Sequence, residues 1–125
     1  MSRKVGFDRF VMEFAGPVPG YDVRYVDKPV TEDPSNRTIA VLGDRVLRIR
    51  LDPASGVDLT SSTAQPSYEG RNRLAGPGQV IVEAVRLGDF ESILQWGLGI
   101  KTGTHAFRVS TLTKPSRLVV DVAAA

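Results

Sequence analysis

Apolar and polar residues alternate with a period of two through much of this chain, which is typical of strands that bury one face. Near the end of the chain, Leu118, Val120 and Val122 share one face while Arg117 and Asp121 share the other. The segments with this alternation are residues 9–14, 21–25, 45–51, 80–86, 91–98, 107–109 and 117–122. Short strands of this number, separated by turn residues, predict a β-sandwich or a β-barrel.

Glycine and proline interrupt the chain so often that long helices have almost no place to form. Twelve glycines and eight prolines are spread evenly, and the longest stretch without either is the eleven residues 104–114. Both residue types are unfavourable inside a helix. We therefore predict an all-β fold with little or no helix, a sandwich or a barrel that forms a single domain over residues 1–125.

Residues 52–78 differ from the rest of the chain because they contain three prolines, four glycines and few large apolar residues. A connection of this length is unusual inside a compact domain, so it predicts either a binding loop or a long crossover between two sheets. Leu59, Tyr68 and Leu74 are the candidates to anchor it. Tyr68 is also the candidate in this loop for an exposed aromatic contact with a ligand.

The two halves of the chain align with each other. Placing Phe14 on Trp96 aligns one pair of strands at an offset of 82, and placing Tyr21 on Phe107 aligns the next pair at an offset of 86. Each half then contains an alternating strand, a turn, a strand with an aromatic-x-Val core, and a strand that carries arginine. The alignment predicts approximate internal symmetry. It also favours Trp96 as a core residue, although stacking on a sugar is the alternative.

Composition and charge exclude several classes of protein. With 42% apolar residues the chain can bury a core, and a net charge of +2 is too small to indicate a nucleic-acid binder. The absence of cysteine excludes disulfides, thiolate metal sites and a cysteine nucleophile, and the single histidine, His105, excludes sites with several histidines. No metal and no cofactor are predicted.

The titratable side chains do not form a recognisable catalytic motif. Asp89 and Glu91 would share one face of a strand, but no apolar surroundings are evident that would separate their pKa values. His105 with Ser110 or Thr111 and Asp121 contains the residue types of a nucleophilic triad, but the Gly-x-Ser-x-Gly motif is missing. We read these residues as solvated or turn positions and predict that the protein is not an enzyme.

The predicted outer faces of the two sheets offer a better candidate for binding. Guanidinium groups suit carboxylates, and neighbouring acidic groups can accept from amides and hydroxyls. The alternative is a solvated face whose arginine and aspartate residues pair across strands. The candidate ligand-binding residues are Arg108, Arg117 and Asp121 on one face, Arg24, Arg48 and Arg50 on the equivalent face, and Tyr68 in the long loop.

Three segments resemble one known family. FVMEFAGPVPGYDV at 10–23 and KPSRLVVDV at 114–122 are similar to the signature of the AMIN domain: an alternating strand, a Gly-Pro-Val turn, a second strand and a closing Pro-x-Arg-Leu-Val-x-Asp strand. VRLGDFESILQWGLG at 85–99 extends the likeness to the AMIN-like domain of actinobacterial exported proteins and lipoproteins. The resemblance covers nearly the whole chain.

The resemblance implies an all-β sandwich of two sheets with approximate internal symmetry. It also implies that this domain lies outside the cytoplasmic membrane and contacts the membrane only through an N-terminal anchor upstream of this chain. It also implies a noncatalytic module that attaches to peptidoglycan or another envelope polymer. The first functional hypothesis is therefore binding to such a polymer through outer-face arginines. The second is a protein-interaction module that docks an envelope protein on a sheet edge or on the 52–78 loop.

Overall fold

A computed structural model describes residues 1–32, 34–53, 57–58, 65–66 and 72–125. The described residues form β-strands and no helix, which confirms the predicted all-β fold. The strands are β1 (Ser2–Lys4), β2 (Phe7–Phe14), β3 (Gly20–Val26), β4 (Val30–Thr31), β5 (Thr38–Ile39), β6 (Arg45–Asp52), β7 (Val57–Asp58), β8 (Gln65–Pro66), β9 (Arg73–Ala75), β10 (Ile81–Phe90), β11 (Ile93–Ile100), β12 (Phe107–Leu112) and β13 (Ser116–Ala123).

Two antiparallel sheets make up most of the fold. The four-stranded sheet has the order β1-β2-β13-β12, and the five-stranded sheet has the order β3-β6-β11-β10-β9. Two further pairs, β4 with β5 and β7 with β8, are short. The predicted sandwich of two sheets is therefore present.

The core lies between the two sheets and is built from the faces that the alternation predicts. Trp96 is only 3% exposed and its ring lies 6.2 Å from that of Phe10, centroid to centroid, so it is a core residue and not a free stacking surface. The other large contributors are Leu47, Ile49 and Leu51 of β6 and Leu118, Val120 and Val122 of β13.

The internal symmetry relates one sheet to the other. The strand order β2-β13-β12 in one sheet corresponds to β11-β6-β3 in the other. Equivalent rows of paired residues cross the two sheets: Phe10–Val120–Val109 in one and Trp96–Ile49–Val23 in the other. Both outer strands are therefore related by an offset of 86, and Phe10, not Phe14, is the equivalent of Trp96.

Asp8 connects the two sheets from inside the core. It lies on β2 in the same inward-facing row as Phe10, and it is 0% exposed. Its Oδ2 accepts hydrogen bonds from the backbone N–H groups of Val80, at 2.7 Å, and Ile81, at 3.0 Å, at the start of β10. The Nε2 of Gln79 lies 3.2 Å from Oδ1 and can donate to it. The buried carboxylate is thus satisfied by donors from the opposite sheet.

Residues 26–43 cover part of the outer face of the five-stranded sheet, which the sequence does not reveal. Val30 and Val41 from this segment pack on Val46, Val85 and Leu87 of the sheet and form a second, smaller apolar cluster. The predicted equivalence of the two outer faces is therefore wrong in this respect. The face of the four-stranded sheet has no corresponding layer among the described residues.

The 26–43 segment is held against the sheet at two points. The backbone N–H of Leu42 donates to Glu83 at 3.0 Å, and Arg73 also donates to this carboxylate, which is 4% exposed. At Gly99 the chains approach so closely that a Cβ atom would overlap the carbonyl oxygen of Leu42. Only glycine leaves room for this crossing.

The 52–78 connection runs from β6 to β10, two strands of the same five-stranded sheet. Within it, β9 pairs with β10, and Leu74 packs against the core as predicted for an anchor. The two other candidate anchors, Leu59 and Tyr68, lie outside the described residues. The role predicted for Tyr68 in ligand contact therefore stays a prediction.

Candidate ligand-binding site

The outer face of the four-stranded sheet carries three of the predicted site residues, and one of them is already engaged. Asp121 accepts from Arg9 of the neighbouring strand through two hydrogen bonds, at 2.8 and 3.0 Å. This bond and the charge of Asp121 raise the pKa of Arg9. Asp121 therefore serves a cross-strand ion pair, which is the alternative that the sequence left open.

Arg108 and Arg117 lie on this same face without strong partners. Arg108 is paired in register with Asp121, but its guanidinium has no ion pair with any described residue. Arg117 is paired in register with Glu13, also without an ion pair, and its Nε donates to the carbonyl of Pro115 at 3.2 Å. The two cations lie on the outer surface of the sheet, where solvent screens them.

The outer face of the five-stranded sheet brings Arg24, Arg48 and Arg50 together. The register pairs Arg24 with Arg48 and Asp22 with Arg50 across β3 and β6. Asp22 accepts from Arg24 Nε at 2.9 Å. This hydrogen bond, more than the charges of Arg24, Arg48 and Arg50, lowers the pKa of Asp22 against the opposing effect of burial. Arg24 is therefore partly neutralised, and Arg48 and Arg50 are the cations left for a ligand.

The 26–43 segment turns this face into a cleft of about 580 Å³, which we call the β6 cleft. One wall comes from the segment and the floor comes from the sheet. The lining residues are Val26, Asp27, Pro29, Val30 and Thr31 on the segment, and Arg48, Arg50, Leu87, Ile93 and Gln95 on the sheet.

The two arginines of the β6 cleft are not fully engaged by the described residues. Arg48 Nε is buried and has no hydrogen-bond partner among the described residues. Arg50 is 39% exposed in its side chain, and its ion pair within the described part of the chain is long, 4.0 Å from Nη2 to Oδ2 of Asp52. A buried guanidinium N–H without an acceptor is costly, so an acceptor entering the cleft would gain more here than at a solvated arginine.

A second, smaller cleft of about 300 Å³ lies beside β9 and β10, but the charges around it are paired. Glu32 bonds Ser35 and Arg37, which together lower the pKa of Glu32, the Ser35 bond contributing most. Arg73 bonds Glu83. Because these charged groups are already paired, this cleft has fewer groups available to bind a ligand than the β6 cleft has.

The residues that could have formed a catalytic triad do not meet. Both ring nitrogens of His105 face carbonyl oxygens, Nδ1 at 2.8 Å from Ala123 and Nε2 at 3.1 Å from Thr102. Asp121 is bound to Arg9 on the outer face. His105 is thus buried as a structural contact and is not directed at Ser110 or Thr111.

The other candidate carboxylates, Asp89 and Glu91, lie where β10 turns into β11. Asp89 lies 3.9 Å from Arg86, and Glu91 is an exposed residue of the β10–β11 turn with a φ of 52°. Within the described ranges there is no group of three or more His, Asp or Glu residues placed to hold a metal ion. In the same ranges no helix is long and apolar enough to cross a membrane.

The fold and this site define a class of protein: a two-sheet β-sandwich with a cleft lined by two arginines on one outer face. A model of the AMIN-like domain family matches residues 1–124, so the chain belongs to the AMIN-like domain family. Comparison with curated proteins and with solved structures finds no match. Domains of this family are in general noncatalytic and extracytoplasmic. Membership of the family suggests a module that targets the cell envelope.

The sequence-predicted residues thus fall in three places. Arg48 and Arg50 line the β6 cleft, whereas Arg24 is paired with Asp22 beside it. Arg108, Arg117 and Asp121 lie on the opposite side of the sandwich. Sequence reasoning missed the wall of the cleft. The sequence did contain a signal for this wall. Val30, Ile39 and Val41 are apolar residues in a stretch that the sequence predicts to be a connection, and apolar residues there indicate that the connection packs on another surface.

The Asp22–Arg24 pair leads to a prediction about acid. Because the folded-state pKa of Asp22 is lowered, the pair stabilises the protein above the unfolded-state pKa of the carboxyl, near 3.8, and this contribution is lost as pH falls through the folded-state value. We expect Asp22→Asn to lower the urea midpoint slightly at pH 7 and by less at pH 2. Urea titrations at the two pH values measure this. A difference at pH 2 as large as that at pH 7 would contradict it.

Proposed function

We propose that this domain is a noncatalytic module that attaches to peptidoglycan or an associated polymer of the cell envelope through the β6 cleft. The observation that carries the proposal is the pair of arginines in the cleft, one of which has a buried donor without an acceptor. Envelope polymers offer carboxylates, amides and hydroxyls, which are the groups that guanidinium and carboxylate side chains recognise.

The overall charge supports local recognition, not long-range attraction. A net charge of +2 on 125 residues gives little electrostatic steering. Binding therefore depends on which guanidinium groups meet the polymer. The two outer faces offer a matched comparison, because each carries two arginines that form no close ion pair with a described residue: Arg48 and Arg50 on one, Arg108 and Arg117 on the other.

The test is co-sedimentation of the purified domain with purified sacculi. We expect the wild type to sediment with the sacculi, the double variant Arg48→Ala/Arg50→Ala to bind at least about tenfold more weakly, and Arg108→Ala/Arg117→Ala to bind like the wild type. Loss only in the Arg108/Arg117 variant would move the contact to the other sheet. A wild type that stays in the supernatant would refute polymer binding.

An envelope protein is the alternative partner, and the sheet edges favour it. In the described sheets β3 and β12 each pair on one side only, and they lie together, with the ring of Tyr25 5.7 Å from that of Phe107. Neither strand contains proline or lysine, the residues that commonly protect an edge. Sedimentation with untreated envelope fragments but not with protease-stripped sacculi would favour this alternative.

A further inference from the structure

We infer that the β6 cleft binds the free carboxylate end of a short peptide that carries a small apolar side chain. This inference rests on the proposed function and names the chemical group within the polymer that the cleft recognises. Three features of the lining carry it: the paired arginines, the balance of charge around them, and the apolar residues beside them.

The arginines are spaced to hold one carboxylate. Arg48 and Arg50 are two positions apart on β6, so their side chains leave the same face of the strand with Cα atoms about 7 Å apart. Guanidinium side chains at this spacing can converge on one ligand group. The Nε of Arg48 is buried and has no acceptor among the described residues, and rotation of this side chain toward the cleft would bring the Nε–H to a carboxylate oxygen.

The charge around the cleft is balanced, which favours a single carboxylate over a polyanion. Arg24 is bonded to Asp22, Asp52 lies 4.0 Å from Arg50, and Asp27 is part of the lining. A polymer with a charge on every repeat would bring further negative groups against Asp27 and Asp52. A peptide end has one carboxylate and an adjacent amide N–H, and Asp27 can accept from such an N–H.

Part of the remaining lining is apolar and suits a small alkyl group, beside the polar side chains of Thr31 and Gln95. Val26 and Val30 on the wall and Leu87 and Ile93 on the floor lie in the same cleft as the two arginines. The volume of about 580 Å³ falls in the range of small-ligand sites. Val30 and Leu87 are already buried in the small cluster, so a methyl side chain next to the carboxylate would bury against the partly exposed Val26 and Ile93, which a bare sugar acid would leave uncovered.

The test is an NMR titration of the ¹⁵N-labelled domain with N-acetyl-D-alanyl-D-alanine, in which the chemical shifts of the backbone amides report binding. We expect saturable shifts at Arg48, Arg50 and Gln95 with a Kd of the order of 1 mM. The C-terminal amide of the same peptide should bind at least about tenfold more weakly, as should the Arg48→Ala/Arg50→Ala variant. Arg50→Gln, at an exposed side chain, provides a second variant in case the double variant unfolds.

The controls decide between the peptide end and other anions. Arg108→Ala/Arg117→Ala should bind the peptide like the wild type. No saturable shift, equal binding of the acid and the amide, or the same shifts with inorganic phosphate would each overturn the inference. If sacculi retain the wild type while the peptide does not bind, the proposed function stands and the peptide end is wrong. If the peptide binds while sacculi do not retain the domain, the carboxylate site stands and polymer attachment is wrong.

Discussion

Replacing Asp8 with alanine will destabilise the domain by about 3–5 kcal/mol, because it leaves buried donors without an acceptor. The carboxylate is fully buried and accepts from the N–H groups of Val80, which immediately precedes β10 of the opposite sheet, and Ile81, its first residue. Alanine removes the acceptor and also leaves a small cavity beside Phe10 and Val122, core residues of the same sheet. Urea unfolding followed by tryptophan fluorescence at pH 7 measures the change.

Two further variants separate this explanation from a general sensitivity of β2. Asp8→Asn keeps one acceptor oxygen and should cost less than Asp8→Ala. Glu13→Ala removes a carboxylate from the exposed face of the same strand and should change stability by no more than about 0.5 kcal/mol. If Asp8→Ala is as mild as Glu13→Ala, the two backbone donors have found other acceptors and Asp8 does not link the sheets.

Asp8 also shows what the alternation pattern can predict and what it cannot. The period of two assigns Phe10, Met12 and Phe14 to the inward face, and the structure confirms it. The same period places Asp8 in that row, and a carboxylate at an inward position indicates a buried polar contact. The pattern gives the face of a side chain but not its partner. The donors are 71 positions or more away in the sequence, at Gln79, Val80 and Ile81.

The sequence predicted that the two halves of the chain are related, but it did not predict the residue offset that relates them. Alternating strands align with each other at several shifts, and an offset of 82 places Phe14 on Trp96 as readily as an offset of 86 places Phe10 there. The hydrogen-bonded register selects the offset of 86. β13 and β6 are the central strands of the two related halves, and this offset aligns both neighbours of β13 with both neighbours of β6. Pairing across the sheet, and not local composition, sets the alignment.

The two halves differ in what covers them, and this difference creates the candidate site. Both sheets expose arginines on their outer faces, but only the five-stranded sheet has the 26–43 segment packed over it. Lys28 donates to the carbonyl of Val41 at 2.7 Å and also bonds that of Gly43, which closes the segment on itself. A polar sheet face thereby becomes a cleft with an apolar wall. The arginines were visible in the sequence, but the wall depended on a tertiary contact.

Replacing Gly99 with alanine should lift the 26–43 segment and cost about 3 kcal/mol. A Cβ atom at this position would overlap the backbone carbonyl of Leu42, which cannot turn aside as a side chain can. Moving Leu42 would also break its N–H bond to Glu83 and expose the small cluster around Val41. Because that segment forms one wall of the β6 cleft, the variant should also weaken binding to sacculi.

The glycines of the chain provide a graded control for this last effect. At Gly16 a Cβ atom would meet nothing within 4 Å, so Gly16→Ala should change stability by no more than about 0.5 kcal/mol. At Gly97 it would lie 3.0 Å from side-chain atoms of Leu87 and Val46, which can shift, so the cost should be intermediate. Urea midpoints in the order Gly16→Ala, Gly97→Ala, Gly99→Ala, from highest to lowest, support the close crossing. A Gly99→Ala variant as stable as Gly16→Ala would show that the segment does not lie on the sheet at Gly99, and the cleft would then lose its wall.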